Sequence, residues 1–145
     1  REELRRAALV VRMHGCSKIQ RSILLHCSFV FGTLSASGRP IVRELEFPTV
    51  IIDEACQSTE ALGLVALHRG VEHLVLVGDP QQLPPTVKSK QAEVQLYGQS
   101  TFERVVKSGR EARLLDVQYR MHPDILAWPN QRFYAGQVST GDSVL

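Results

Sequence analysis

The sequence predicts an α/β fold with a mostly parallel sheet. Three short apolar runs, Val50–Ile52, Leu74–Val77 and Leu114–Val117, alternate with segments of helical pattern. Strands and helices that alternate at this pace form βαβ units, in which neighbouring strands run parallel. Each run leads into a cluster of polar residues, and ligands bind at the carboxyl ends of parallel strands. We therefore expect three buried strands that present one edge of a ligand site.

The residues before the first of these runs predict a helix, a strand and a loop in that order. A helical pattern extends from Arg1 to about Leu25, with an interruption near Gly15. Residues Ser28–Thr33 then predict a short strand. The small residues of Leu34–Gly38 predict a loop after it.

A helix and a loop are predicted around the second run. The helix covers roughly Thr59–Leu67, and Gly70 is its stop signal. After the second run, Pro84 and Pro85 forbid both a continued helix and a central strand. Residues from Asp79 to about Lys90 are therefore expected to form a loop.

The last part of the chain predicts helix, strand and helix. Ser100 begins a helix in which Glu103 is its capping-box partner, and the helix ends near Gly109. The third strand is expected over Leu114–Tyr119. The helix after it begins at Pro123 or at the following residue, because proline is well tolerated in a first helical turn.

The composition is that of an ordinary globular chain. It has 145 residues, 43% of them hydrophobic and 22% charged, which suits one domain or a piece of a larger one. The net charge of +2 is too small to predict nucleic-acid binding by itself. The three cysteines have no zinc-like spacing and fit a reducing compartment, and no apolar run is long enough to cross a bilayer. Since the chain opens inside a helical pattern and without methionine, we expect a fragment.

The first polar cluster is the adjacent pair Asp53 and Glu54, directly after the first strand. Two carboxylates in this position can divide the work of phosphate hydrolysis. Asp53 can hold a magnesium ion through water, while Glu54 orients or deprotonates the attacking water. An acidic pair at a strand end can also cap a helix, so the pair alone leaves both interpretations open.

The second cluster, Gly78-Asp79-Pro80-Gln81-Gln82, follows the second strand. Gly78 lets the backbone approach a ligand, and a glutamine amide such as that of Gln82 can contact a terminal phosphate without being ionised. Gly78 and Asp79 are therefore candidates to contact a nucleotide. The alternative is a proline-rich turn, which would not by itself require two glutamines.

The third cluster supplies a cation and a flat ring. Arg120 suits the charge that develops on a transferring phosphoryl group, and Tyr119 offers a face on which a base can stack. Tyr119 could instead be a core residue and Arg120 a surface cation. His122 is expected to be structural, beside Pro123, rather than a general base.

Two further groups have competing interpretations. Three hydroxyl residues of the predicted loop suit contacts to a sugar-phosphate backbone, although a plain turn explains them nearly as well. Three aromatic residues near the C-terminus are better explained by core packing than by base stacking. The hydroxyl residues are Thr33, Ser35 and Ser37, and the aromatic residues are Trp128, Phe133 and Tyr134.

In combination, these segments resemble the motifs of a superfamily 1 helicase of the group that includes senataxin and the nonsense-mediated-decay helicase. The likeness extends over roughly residues 29–138. The resembling segments are Gly32–Gly38 for motif Ic, Asp53–Gln57 for motif II, Gly78–Thr86 for motif III and Gln118–Pro123 for motif IV.

The resemblance implies a P-loop NTPase of RecA-like fold, with ATP and Mg²⁺ as cofactors and single-stranded RNA or DNA as partner. It implies 5′-to-3′ movement along the strand by a protein of the nucleus or cytoplasm. It also assigns roles: Asp53 binds Mg²⁺, Glu54 activates water, Gln82 senses the γ-phosphate and Arg120 contacts it from a second domain. Tyr119 would lie near the adenine, and Thr33 and its neighbours would touch the nucleic acid.

One departure shapes the expected domain organisation. No G-x-x-x-x-G-K-[ST] phosphate loop occurs in the sequence, so we expect the 145 residues alone neither to bind ATP tightly nor to hydrolyse it. Residues 1–108 would be the C-terminal part of a first RecA-like domain, and residues 109–145 the beginning of a second. The alternative is an ATPase-deficient homologue that acts as a nucleic-acid-binding or protein-binding module.

Overall fold

The computed structural model describes residues 17–144. The part of the predicted N-terminal helix that lies before residue 17 is outside the described residues, and residues 17–26 are helical (α1). The other helices are α2 (Leu34–Ser37), α3 (Pro40–Arg43), α4 (Glu60–Val65), α5 (Lys90–Val94), α6 (Thr101–Lys107) and α7 (Pro123–Phe133). The strands are β1 (Thr49–Ile52), β2 (His73–Leu76), β3 (Val117–Gln118) and β4 (Ser139–Thr140), with short 3-10 turns at Ala55–Gln57 and Asp142–Val144.

The first two predicted strands pair as expected. Strands β1 and β2 run parallel, and Ile52 is opposite Leu76 at their carboxyl ends. Helix α4 lies between them in the chain, and the side chain of Thr59 caps it by accepting a hydrogen bond from the Leu62 N–H. The βαβ unit predicted from the alternation of strands and helices is therefore confirmed.

A small core holds this unit together. Three of its residues, Ile52, Ala55 and Ala66, are at most 7% exposed. Helices α4 and α6 also contribute to this core, and both lie on the face of the sheet to which Ile52 points. The partly buried residues packed against this core are Leu34, Val50, Leu76 and Phe102.

The prediction that these strands are buried on both faces is wrong within the described part of the chain. Ile51 is 66% exposed and Val75 44% exposed, whereas Ile52 is 4% exposed. Successive side chains of a strand point to opposite faces of the sheet. Helices α4 and α6 cover the face of Ile52, so the apolar residues of the other face remain accessible.

The strand and loop predicted over residues 28–38 are also wrong. Residues 28–33 form no strand. Among residues 17–144, β1 pairs only with β2, so residues 28–33 do not pair with it. Residues Leu34–Ser37 are helical instead of looped. The Thr33 hydroxyl begins this helix by accepting a hydrogen bond from the Ala36 N–H at 3.2 Å.

The third predicted strand is short and belongs to a different sheet. Strand β3 pairs in parallel with β4, so that Val117 is opposite Ser139, and neither joins β1 or β2. The expectation of three strands at one edge is therefore wrong. Strand β3 begins only at Val117, so residues 114–116 of the predicted strand have no regular structure.

Both predicted helix starts in the second half are confirmed. The Ser100 hydroxyl accepts a hydrogen bond from the Glu103 N–H at 3.0 Å, and Gly109, with a φ of +92°, follows the helix. Helix α7 begins at Pro123, and the His122 ring caps it by accepting from the Asp124 N–H at 3.3 Å. His122 is thus structural, as expected. Among the described helices, none is long and apolar enough to span a membrane.

Candidate functional site

The carboxyl end of β1 presents the two adjacent carboxylates. Both side chains are exposed, and Glu54 has a left-handed backbone, with a φ of 52°. The Glu54 N–H donates to Asp53 Oδ1 at 3.1 Å, and Gln57 Nε2 donates to Glu54 Oε2 at 3.0 Å. A residue other than glycine is uncommon in this conformation. It turns the chain sharply, so that both carboxylates lie at the edge of the sheet.

The end of β2 is held against this turn. The Val77 N–H donates to Ile52 O at 2.9 Å, and the Ala55 N–H donates to Val77 O at 2.8 Å. A Cβ on Gly78 would lie 2.9 Å from both the backbone nitrogen and the Sγ of Cys56. Gly78 is therefore needed for the close approach of two strand ends, a reason that differs from the approach to a ligand expected from the sequence.

The negative charges at this edge of the sheet affect the pKa of the buried Cys56 thiol. Its pKa is raised first by burial and then by the charges of Asp79, Glu54 and Glu103. A thiol with a raised pKa stays protonated and unreactive at neutral pH. The same influences show that carboxylates from the ends of β1 and β2 lie near one another, as the parallel topology predicts.

Asp79 is the centre of a hydrogen-bond cluster after β2. Its Oδ1 accepts from the Gln81 N–H at 2.9 Å. Its Oδ2 accepts from Gln82 Nε2 at 2.8 Å and from the Tyr134 hydroxyl at 2.5 Å. The amide of Gln82, the predicted phosphate sensor, is thus bound to a carboxylate of its own loop.

These bonds set the charge of the cluster. Burial acts to raise the pKa of Asp79, but the hydrogen bonds from Tyr134, Gln81 and Gln82 together lower it below its ordinary value. The bond to Asp79, together with burial, raises the pKa of Tyr134 to about 12. At neutral pH the pair is therefore an ionised carboxylate and a protonated phenol, which makes their hydrogen bond charge-assisted.

Tyr119 and Arg120 lie on a turn that Gln118 organises. Gln118 Oε1 accepts from the N–H groups of Arg120 and Met121, each at 2.7 Å. Its Nε2 donates to Met121 O at 2.6 Å and to the Thr140 hydroxyl at 2.8 Å. The amide of Gln118 thereby fixes the backbone that carries both candidate side chains.

The structure does not bring Arg120 into contact with the carboxylates of β1 and β2. Within residues 18–144, the Arg120 guanidinium forms no ion pair, and none of its hydrogen bonds reaches Asp53, Glu54 or Gln82. Tyr119 is 68% exposed, so it is not a core residue here, and its ring packs against Gly141. The third cluster is a separate, exposed surface next to β3.

The three residues predicted to contact nucleic acid differ in whether their hydroxyls are already hydrogen-bonded within the protein. Thr33 uses its hydroxyl as the cap of α2, and the Ser37 hydroxyl donates to Leu34 O at 2.5 Å. Ser35 lies between them in the helix and is exposed. The three hydroxyl residues therefore lie in and directly before the short helix α2, and not in the predicted loop.

A cleft lies beside the candidate carboxylates and not around them. It is an open, mostly apolar cleft of about 1030 Å³ between β2 and α6 on one side and α7 on the other. Asp79 and Tyr134 line it, whereas Asp53, Glu54 and Arg120 do not. The apolar lining residues that define its walls are Leu76, Phe102, Leu126 and Phe133.

The aromatic residues of α7 only partly follow the prediction of core packing. Trp128 is 69% exposed, so that interpretation is wrong for this residue in the described chain. It contacts Phe133 edge to face, with 5.8 Å between ring centroids. Tyr134 is half-buried and bonded to Asp79, a role that sequence reasoning missed because the two residues are 55 positions apart. The role of Gln118 was also missed, although it directly precedes Tyr119 in a segment already singled out.

Comparison with known proteins identifies the family. A family model described as an AAA domain matches residues 8–90, more than half of the chain, and a second model of the same description matches residues 97–145. AAA domains have the P-loop NTPase fold, and the mixed α/β structure with small parallel sheets agrees with it.

Named relatives agree with these models. The chain is 45% identical over 130 residues to helicase sen1 of Schizosaccharomyces pombe, which is 88% of this chain and 8% of that protein. It is 42% identical over 128 residues to the probable helicase MAGATAMA 3 of Arabidopsis thaliana, 87% of this chain and 16% of that protein. It is 38% identical over 122 residues to the regulator of nonsense transcripts 1 homolog of Neurospora crassa, 84% of this chain and 11% of that protein. The chain thus spans less than a fifth of each of these three relatives, and it belongs to the AAA-domain family, in the superfamily 1 helicase group of senataxin and the nonsense-mediated-decay helicase.

Proposed function

We propose that this chain is part of an ATP-dependent helicase that couples ATP hydrolysis to 5′-to-3′ movement along single-stranded RNA or DNA. The observation that carries the proposal is the edge where the parallel strands β1 and β2 end, with Asp53 and Glu54 directly after β1 and Asp79 in the segment that follows β2. Carboxylates at the ends of adjacent parallel strands suit metal-assisted phosphate hydrolysis. The relatives are named as helicases and as a regulator of nonsense transcripts, and these names support the same function.

The surroundings of Asp53 fit a magnesium ion that is held mainly by substrate and water. Asp53 is exposed, and among residues 18–144 its carboxylate accepts only the N–H of the next residue, through Oδ1, so Oδ2 is available to a metal-bound water. Among the described residues, no group of three or more His, Cys, Asp or Glu could hold a metal ion by itself. Mg²⁺ commonly binds through one or two carboxylates plus substrate phosphates. The ion would neutralise charge on the phosphates of bound ATP.

In this proposal, Glu54 acts on the attacking water and Gln82 acts on the terminal phosphate. Glu54 Oε2 accepts from Gln57, which leaves Oε1 available to receive a proton from an attacking water. Gln82 would have to leave Asp79 to reach a phosphate, since its Nε2 is bound there. Gly78 and Asp79 form the backbone next to the nucleotide in this proposal.

The second part of the chain would complete the site when two RecA-like domains close on ATP. We propose that residues 1–108 belong to the first domain and residues 109–145 to the second. The separation of the β1–β2 sheet from the β3–β4 sheet supports this division, and so does the turn at Gly109 between them, which has a φ of +92°. Arg120 would contact the γ-phosphate from the second domain and Tyr119 the adenine, while Thr33, Ser35 and Ser37 would contact the nucleic acid. A soluble nuclear or cytoplasmic protein suits these partners.

Replacement of Glu54 by glutamine in the full-length protein tests the proposal. The amide keeps the size of the side chain but cannot accept a proton from water, so turnover of ATP should fall about a hundred-fold or more while nucleotide binding persists. Glu93→Gln is the matched control, because Glu93 is exposed and its carboxylate has no partner among residues 18–144. ATPase rates and nucleotide affinity are measured for both variants.

Two results would contradict the proposal. Near-normal turnover in Glu54→Gln would remove the assigned role of Glu54. A wild-type protein that binds single strands but does not hydrolyse ATP would favour the alternative, a binding module without ATPase activity.

A further inference from the structure

The carboxylate of Asp79 joins the two parts of the chain. Among residues 18–144, its bond with the Tyr134 hydroxyl is the one side-chain hydrogen bond between the part with β1 and β2 and the part with β3 and β4. Gln82 donates to the same oxygen, Oδ2. One carboxylate oxygen is thus shared by the candidate phosphate sensor and by a residue from the other part.

The end of α7 holds the Tyr134 phenol in place. The N–H groups of Tyr134 and Gly136 both donate to Asn130 O, at 3.0 and 3.1 Å. The Asn130 side chain forms two further bonds with the backbone of Val138, at 2.6 and 3.0 Å. Ala135 and Gly136 then turn the chain with successive positive φ values of 51° and 75°. The position of the phenol therefore follows the position of this turn.

Release of Gln82 from Asp79 has a cost that depends on Tyr134. A partly buried carboxylate that loses a donor loses a favourable charge-assisted bond, and the loss is larger when few donors remain. With Tyr134 in place, Asp79 keeps two donors, the phenol and the Gln81 N–H, when the Gln82 amide leaves. Without the phenol, Asp79 keeps only one, and the Gln82 amide is held more firmly.

We propose that Tyr134 is a positioning residue for Gln82 and acts through Asp79. This inference rests on the proposed function, in which Gln82 approaches the terminal phosphate of ATP. Tyr134 follows α7 and therefore moves with the part that carries Arg120. When that part is seated against Asp79, the release of Gln82 from Asp79 to the phosphate costs less. The bond thereby makes the response of Gln82 depend on the arrangement of the two parts.

The test compares two tyrosine variants of the full-length protein. Tyr134→Phe removes the hydroxyl that binds Asp79. Tyr97→Phe is the matched control, since Tyr97 is 55% exposed and its hydroxyl has no hydrogen bond among residues 18–144. ATPase rates are measured over a range of ATP concentrations, without nucleic acid, with single-stranded RNA and with single-stranded DNA.

We expect the stimulation of ATPase by nucleic acid to fall about ten-fold in Tyr134→Phe, which is the size of one lost charge-assisted hydrogen bond. The loss should lie mainly in kcat, with the KM for ATP changed about two-fold or less, because a positioning effect acts after ATP is bound. Tyr97→Phe should keep the wild-type stimulation. Equal loss of the stimulated and unstimulated rates in Tyr134→Phe, together with a lower Tm, would indicate a purely structural role and overturn the proposal.

A double-mutant cycle with Asp79→Asn tests whether Tyr134 acts through Asp79. If it does, the double variant Tyr134→Phe/Asp79→Asn should show about the same stimulation as Asp79→Asn alone. Additive losses, or a wild-type level of stimulation in Tyr134→Phe, would overturn the positioning role of Tyr134. Neither result would contradict the proposed function, provided that the wild-type protein hydrolyses ATP. A wild-type protein with no nucleic-acid-stimulated ATPase would instead refute the proposed function, and this inference with it.

Discussion

Single residues at the end of the first sheet are fixed by sterics as much as by chemistry. Glu54 takes a left-handed backbone, and Gly78 fits where a Cβ would collide with Cys56. The sequence predicted both residues as candidates for a site, because each follows an apolar run. It could not show that Gly78 is required by a neighbouring turn, since the contact joins residues that are far apart in the chain.

Gly78→Ala should lower the free energy of unfolding by about 1–3 kcal/mol. The added Cβ would lie 2.9 Å from the Cys56 backbone nitrogen and 3.1 Å from that of Ala55, and backbone atoms cannot move aside as a flexible side chain can. Gly32→Ala is the control. The nearest atom to its added Cβ is 3.9 Å away, so its stability should be unchanged or slightly higher. Thermal or denaturant unfolding of both variants measures the difference, and equal stabilities would refute the steric argument.

Elements with a local signal were predictable, and those that depend on distant partners were not. The starts of α4, α6 and α7 follow from Thr59, Ser100 and Pro123, whose chemistry acts within one helical turn. Residues 28–33 and 114–116 were predicted to lie in strands, but a strand forms only beside a partner. The pairing of β3 with β4, and the exposure of Ile51, depend on which elements meet in space.

Helix α6 depends on its cap more than α5 does. Ser100 is 2% exposed and its hydroxyl bonds the Glu103 N–H at 3.0 Å, whereas the Ser89 cap of α5 is exposed and its bond to Ala92 is 3.3 Å long. Ser100→Ala should cost about 1–2 kcal/mol of stability, because it removes the acceptor of a part-buried hydrogen bond. Ser89→Ala should cost about 0.5 kcal/mol. If unfolding experiments gave equal losses of stability for the two variants, burial of the capping residue would not explain the strength of the cap.

At the scale of the whole molecule, the candidate site is divided between two sheets. Asp53, Glu54 and Asp79 were correctly expected to share one edge, because parallel topology places consecutive strand ends together. Tyr119 and Arg120 follow β3, which belongs to a second sheet, whereas the apolar runs had suggested one common sheet. The link through Tyr134 had no sequence signal, since the sequence does not show which aromatic residue will meet a loop 55 positions away.

Arg120→Ala tests whether the second part acts on the reaction. Gln118 fixes the Arg120 backbone, and the guanidinium has no ion pair among residues 18–144, so it is available to a ligand. An arginine at developing negative charge acts mainly in the transition state. We expect kcat for ATP hydrolysis by the full-length protein to fall about a hundred-fold or more, with a much smaller change in nucleotide affinity.

Arg132→Ala is the matched control for Arg120→Ala. This substitution removes the same charge from the same part of the chain. The Arg132 guanidinium lies over the Phe133 ring, 5.6 Å from the ring centroid. Because this contact is on α7 and away from the turn that Gln118 organises, kcat should stay near the wild-type value. Equal effects in the two variants would mean that the net charge of this part matters, and that Arg120 has no specific role. A large rise in KM with unchanged kcat in Arg120→Ala would instead assign the residue to uniform binding of ATP, and the second part would then bind the nucleotide without taking part in its hydrolysis.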